Sequence, residues 1–195
     1  MEIKEDVYVF ISKIPQVIDY KNVYPLEKDN EIKNCFNDDL KRQKYWAWIT
    51  LENAIMQIFN KKIDNYKFHQ SENGKWLSSF NFSISHSDEY VAVAIANNIV
   101  GIDLQVFDDK DHLKLLKKIL TPHELNNSDI LSSEQIINIW CQKEAIYKML
   151  DDKTSFKNIE TSNFNCINKK YILNNKEYIL SICYQDTFNM QASFL

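Results

Sequence analysis

Glycine is almost missing from this chain: 195 residues hold 2, Gly74 and Gly101. A chain that sparing keeps glycine where the backbone needs a positive φ, or an approach so close that a Cβ would block it. Proline is scarce as well, with 3, and there is no proline-rich or otherwise low-complexity linker. Basic charge is not in excess. Lys and Arg total 23 against 27 Asp and Glu, a formal net charge of −4, so no global positive field favours nucleic acid and an anionic ligand must be held by a local cluster. No apolar stretch approaches the ~20 residues that span a bilayer, so no membrane partner is expected. The N-terminal MEIKEDVYVFISKIP has early acidic residues and a short apolar run, and reads as a first strand rather than a signal peptide. Cys35, Cys141, Cys166 and Cys183 show neither CxxC spacing nor close pairing. Reduced, buried thiols in a cytoplasmic protein are expected, rather than a disulfide or zinc framework.

What is present suffices for a folded domain. Hydrophobic residues make up 45% and aromatics 13%, enough for one sizeable core or two small ones without covalent staples. Val7 to Ile11 reads as a strand closed by Pro15. From about Leu26 to Asn60 the pattern is helical, with Asp38 or Asp39 as a cap and Leu40, Trp48, Leu51, Ile55 and Ile58 at helical spacing. Lys41, Arg42 and Lys44 crowd the first turns of that helix, equally a solvated face or an anion site. Asn73-Gly74 is a turn signal. Three runs follow (Phe80–Ser85, Tyr90–Ala96, Ile99–Leu104), the last two separated by Asn97-Asn98 as in a hairpin.

Helical pattern returns from about Lys110 to Leu120. Thr121-Pro122-His123-Glu124 follows the capping-box pattern with Pro at the first helical position. Ser132 to Gln135 offers a second box, opening a long helix to about Leu150. Tyr171–Leu173, Glu177–Tyr184 and Phe188–Phe194 read as strands. Helices then strands, twice over, predict an α+β protein in two similar halves, residues 1–98 and 99–195, each a small antiparallel sheet packed on helices.

Three segments carry chemistry. In Gly101-Ile102-Asp103-Leu104-Gln105, Asp103 and Gln105 share one strand face while Ile102 and Leu104 take the other. A carboxylate in such a setting is costly unless paired or bound to metal, though an Asp at a strand end is as readily a turn cap. In Trp140-Cys141-Gln142-Lys143-Glu144-Ala145-Ile146-Tyr147-Lys148, residues Trp140, Glu144 and Lys148 form one helical stripe. It reads as a surface ion pair beside a core tryptophan, or as Glu144 on a cation with Lys148 on phosphate oxygens. In Phe82-Ser83-Ile84-Ser85-His86-Ser87, adjacent strand residues face opposite ways, so His86 is badly placed as a base for Ser85 or Ser87. No GxSxG elbow is present. A histidine and hydroxyls at a strand end suit phosphate contact better than hydrolase chemistry.

In this order and spacing, Gly74-Lys75, Phe82 to Ser87, Gly101-Ile102-Asp103 and Trp140 to Lys148 resemble the 4′-phosphopantetheinyl transferases, most nearly the type that activates carrier domains of peptide and polyketide synthases. The resemblance covers residues 74 to 148, and both glycines fall on motif positions. It implies an enzyme of the holo-[acyl-carrier-protein] synthase type, which moves 4′-phosphopantetheine from coenzyme A to a serine of an acyl or peptidyl carrier protein. Adenosine 3′,5′-bisphosphate is released, in fatty-acid, polyketide or nonribosomal peptide biosynthesis. Two similar halves with the site at their junction are implied, so that a monomer suffices.

Under the resemblance Asp103 and Glu144 bind Mg²⁺, with Gln105 as a third partner. Glu144, or a water it orients, takes the serine proton, and Lys148 neutralises the pyrophosphate. His86 with Ser85 holds the 3′-phosphate end, Lys75 lines the adenine pocket, and Arg42 and Lys28 match basic positions for the 3′-phosphate. Departures are Gln105 for Glu, Ser83 for Asn, Trp76 for Pro, and no glycine turn after Lys148. The alternatives are a catalytically impaired relative that binds coenzyme A or a carrier without transfer, and an unrelated Mg²⁺-dependent nucleotide hydrolase.

Overall fold

The structure is a computed structural model that describes residues 6–108, 113–126, 131–184 and 189–194. The alternation in the first run builds strand β1 (Asp6–Lys13). Its Val7, Val9 and Ile11 enter one core while Phe10 enters another on the opposite face, as the pleat requires. Helix α1 (Leu26–Lys33) and the long α2 (Asp38–Phe59) follow. The cap of α2 is Asn37, one residue before the expected aspartates: its Oδ1 accepts from the Leu40 N–H at 2.8 Å. Asp38 and Asp39 fall instead in the first turn, where carboxylates meet the positive end of the helix dipole.

Short strands β2 (His69–Gln70) and β3 (Trp76–Leu77) flank the Gly74 turn, where a φ of +83° explains one of the two glycines. The meander follows as β4 (Asn81–Ser87), β5 (Tyr90–Ala96) and β6 (Val100–Val106). Next come α3 (Leu113–Ile119), α4 (Pro122–Asn126), α5 (Ser133–Leu150), β7 (Asn165–Leu173), β8 (Lys176–Tyr184) and β9 (Asn189–Phe194). The expected helix start near Lys110 and the strand residue Phe188 lie outside the described residues. Both capping boxes form: Thr121 with Glu124, and Ser132 with Gln135. Among the described residues no helix is long and apolar enough to cross a membrane.

The fold is α+β, with mixed helices and small sheets. One sheet has the order β4-β5-β1-β9, a second the order β6-β8-β7, and β2 pairs with β3. The sheets are antiparallel except at one edge, where β9 returns to run parallel beside β1. Helix α2 covers the outer face of the first sheet through Trp48, Leu51 and Ile55 against Phe10, Val93 and Ile95. Helix α5 covers the second through Ala145, Ile146 and Met149 against Cys183, and Ile137 and Cys141 against Ile179. Between the sheets, Ala92, Ala94 and Ala96 meet Ile102, Leu104, Leu180 and Ile182. This is why β5 is buried on both faces and reads as an unbroken apolar run.

Where β6 passes β4, the two sheets join without a backbone ladder. β6 pairs with β8 on one side. On its other side the amides of Ile102, Leu104 and Val106 donate to the hydroxyls of Ser83, Ser85 and Ser87 at 3.1, 3.1 and 2.9 Å. The alternate serines of β4 therefore act as surrogate carbonyls, satisfying donors that burial would otherwise orphan.

The cysteine expectation is corrected. Cys35 and Cys141 are free, but Cys166 and Cys183 are joined by a disulfide. The β7–β8 register sets them directly opposite one another. A two-residue turn at Asn174-Asn175 makes residues 17 apart in sequence into neighbours, which spacing alone conceals.

Candidate active site

Gly101 is the second glycine, and its position is dictated by packing. A Cβ there would lie 1.9 Å from the Ala145 carbonyl oxygen and 2.9 Å from Met149 Cβ, so β6 and α5 touch backbone to backbone. That contact brings the GID and KEA segments together.

Asp103, 2% exposed, is held by three donors. Ser85 Oγ donates to its Oδ1 at 2.7 Å, Lys148 Nζ lies 2.6 Å from the same oxygen, and Gln105 Nε2 donates to Oδ2 at 2.8 Å. Glu144, one turn before Lys148, is half-buried. Burial pushes its carboxyl above the usual carboxylate range, and the Asp103 charge adds to the shift.

Lys148 also lines a cavity of about 370 Å³. Its walls include Lys28, Lys44, Trp48, Lys75, Trp76, Phe82 and His86, with Gly74, Tyr147, Asp151 and Asp152 at the turn and the end of α5. Lys28 Nζ sits over Trp48 and Trp76, 5.2 and 5.9 Å from the ring centroids, an arrangement favourable to a cation. Burial lowers the Lys28 pKa despite its partner Glu31. His86 is likewise pushed down, first by burial and then by the Lys148 charge, so it presents a neutral imidazole near pH 7. Lys75 Nζ donates to the Met149 carbonyl at 3.3 Å, tying the glycine turn to the end of α5. Such a cleft, with lysines distributed along aromatic walls, suits an elongated anion that carries a planar base.

The candidate residues divide accordingly. Lys28, Lys75, His86 and Lys148 share the cleft, and Asp103 and Gln105 adjoin it through Lys148. Ser85 does not line it: the strand alternation that turns His86 toward the cleft turns Ser85 onto Asp103. Arg42 is also elsewhere. Its guanidinium donates to the Pro15 carbonyl at 3.0 Å, and Lys44, two residues along α2 and so on another face, takes the place in the cleft.

Two features of the site and its support escaped sequence reasoning. Trp48 and Trp76 read only as core or turn residues. Lys143 is fully buried, its Nζ bonded to Glu124 Oε2 at 2.6 Å, the Ile159 carbonyl at 2.6 Å and the Phe156 carbonyl at 3.1 Å. Glu124 thus does more than close its capping box, and Lys143 moors the middle of α5 to the 156–161 segment. A lysine on the buried side of an amphipathic helix was the available signal.

The donor set fits a hard divalent cation. Asp103 and Glu144 offer carboxylate oxygens, Glu144 being raised first by burial and then by the Asp103 charge, and Gln105 adds an amide. Among the described residues no cluster of three or more His, Cys, Asp or Glu forms a cage. A cation here would complete its shell with water and ligand oxygens, which is the habit of Mg²⁺.

Residues 99–192, which carry Asp103, Glu144 and Lys148, match the model of the 4′-phosphopantetheinyl transferase superfamily. That stretch is the C-terminal half of the chain, and it is similar to that superfamily. The chain is also similar to a 4′-phosphopantetheinyl transferase gsp of Aneurinibacillus migulanus, 26% identical over 151 residues. The aligned region covers 65% of this chain and 62% of that relative, so the chain spans about three fifths of the relative's length.

Proposed function

We propose that this chain transfers 4′-phosphopantetheine from coenzyme A to a serine of an acyl or peptidyl carrier protein, releasing adenosine 3′,5′-bisphosphate. The observation that carries the reading is one cleft holding Lys28, Lys44, Lys75 and Lys148 beside two tryptophans, joined by Lys148 to the buried Asp103.

In this reading the 3′-phosphate lies against Lys28, Lys44 and His86, and the adenine lies near Lys75 and its turn. Lys148, resting on Asp103, has the reach to meet the diphosphate. Glu144, more basic than an ordinary carboxylate, accepts the proton of the incoming serine hydroxyl. The serine oxygen forms its bond to phosphorus as the phosphorus–oxygen bond to adenosine 3′,5′-bisphosphate breaks, and the departing phosphate leaves as an anion beside Lys148. Most of the acceleration comes from position and charge rather than covalent chemistry. Mg²⁺ bound by Asp103 and Glu144, with Gln105 as a further oxygen donor, supplies Lewis-acid charge to the phosphoryl oxygens. Ser85 acts by fixing Asp103 rather than by touching coenzyme A.

The wider reading has two similar halves, 1–98 and 99–195, with the site at their junction, a monomeric cytoplasmic protein, and carriers of fatty-acid, polyketide or peptide synthesis as partners. The test mixes the protein, Mg²⁺, coenzyme A and an apo carrier, and reads the carrier mass. A phosphopantetheine arm on the serine is expected, with transfer abolished by EDTA and recovered on added Mg²⁺. No gain on any fatty-acid, polyketide or peptide carrier overturns the proposal, and bisphosphate released without a carrier favours hydrolysis instead.

A further inference from the structure

Two of the lysines that line the cleft, Lys28 and Lys44, already share an anion that stands beside it. Glu31, on α1, spends one carboxylate oxygen on each lysine there: Oε2 accepts from Lys28 Nζ at 2.9 Å and Oε1 from Lys44 Nζ at 3.0 Å. The Trp76 indole N–H also points to Oε2, at 3.4 Å. Lys28 is enclosed by the Trp48 and Trp76 rings, its side chain 11% exposed. A buried ammonium needs a counter-charge, and Glu31 is that charge. The carboxylate itself is a third exposed, and both lysines it holds line the cleft. Burial disfavours its ionised form, but Lys28 and Lys44 together outweigh burial and hold it ionised. With His86 neutral, this end of the cleft carries two positive charges and one negative.

We propose that Glu31 is a specificity-determining residue: a resident anion that occupies Lys28 and Lys44 until a phosphate monoester displaces it, and so weakens binding of phosphate-bearing ligand. A phosphate monoester brings a charge of about −1.5 to −2 to the place where one carboxylate already sits, so each entry separates Glu31 from its lysines. The balance keeps the empty cleft satisfied and lets a phosphate-bearing product leave. The choice of nucleotide rests on the transferase reading above; the role of Glu31 does not.

Calorimetric titration of the whole chain with adenosine 3′,5′-bisphosphate and with adenosine 5′-monophosphate tests this. Glu31→Gln is expected to tighten the bisphosphate about tenfold and the monophosphate less than about twofold. Glu31→Asp is expected to stay near wild type, and adding Lys44→Ala to Glu31→Gln should erase the gain. In transfer assays KM for coenzyme A should fall, with kcat falling too as the product leaves more slowly. Weaker bisphosphate binding by Glu31→Gln would make Glu31 a mere brace for the lysines and would overturn the proposal, as would equal tightening of both nucleotides. A wild-type chain that binds neither nucleotide sinks the transferase reading alone. Glu31 is then decided by inorganic pyrophosphate, which should raise the melting temperature of Glu31→Gln more than that of wild type; an equal rise overturns it.

Discussion

Replacing Gly101 by alanine places one methyl where α5 already stands. The new Cβ meets the Ala145 carbonyl oxygen at 1.9 Å and the Ala145 carbonyl carbon at 2.9 Å, both backbone atoms that no rotamer change can move. Restoring an ordinary contact, at least ~3 Å, requires β6 and α5 to part by about 1 Å. Overpacking of this kind costs about 1–3 kcal/mol, and with backbone on both sides we place it at the upper end, ~3 kcal/mol. For a chain of this size each kcal/mol lowers Tm by about 2–4 °C, giving a fall of roughly 6–12 °C. The displaced helix carries Glu144 and Lys148, and the displaced strand carries Asp103. The 2.6 Å contact between Lys148 and Asp103 is thus stretched directly, and a 1 Å misplacement at a reacting centre costs on the order of 10²-fold in rate. Thermal unfolding followed by circular dichroism, and the transfer rate onto a carrier, measure both effects. Gly74→Ala is the stability control: its φ of +83° makes alanine strained, but nothing lies within 4 Å of the new Cβ, so the loss should be only about 1–2 kcal/mol. A Gly101→Ala protein that melts with wild type and transfers at full rate would refute the claimed closeness of β6 and α5.

Other expectations follow from buried charge. Glu144 titrates higher in the folded chain than in the unfolded one, so its protonated form favours the fold; that contribution is complete below the unfolded carboxyl value, ~4.3, and is lost as pH rises through the folded value. Glu144→Gln should therefore melt above wild type by a margin that widens from pH 4 to pH 8, while transfer is abolished; a margin independent of pH, or an active variant, contradicts the assignment. Lys143→Met removes the cation that Glu124 and two carbonyls share and should cost about 3–5 kcal/mol by stranding a carboxylate. Hydrogen exchange should quicken first in the 156–161 segment, and unchanged protection there would show that Lys143 moors nothing.

Much of this architecture could be read from residue order because local and global preferences agree. β5 runs from Tyr90 to Ala96 as its apolar run suggests, and the Ser132 box opens α5 where expected. Gly101 and Gly74 announced a close approach and a turn by their rarity. What stayed hidden depends on partners distant in sequence. Nothing local says that β9 lies parallel to β1, or that Cys166 faces Cys183 across a hairpin. Arg42 and Lys44 have the same charge and near-identical neighbours, and only the rotation of α2 against the first sheet decides which enters the cleft. Ser85 invited a ligand role because a buried hydroxyl and a binding hydroxyl look alike until the acceptor, Asp103, is placed.

The serine seam between β4 and β6 gives the molecule a parting line. Elsewhere each strand is locked to its neighbour by a backbone ladder, seven residues long for β4 with β5 and for β6 with β8. Here three hydroxyls, each 19 residues from its amide partner, join the sheets, and the Ser85 hydroxyl also donates to Asp103. Tyr178 and Lys176 of β8 reach Asp88 beside β4, and apolar packing makes up much of the rest. Lys28, Lys44 and His86 lie on one bank, and Asp103, Glu144 and Lys148 on the other. A ligand long enough to touch both banks would bridge that joint, adding its own contacts to side-chain bonds where no backbone ladder runs.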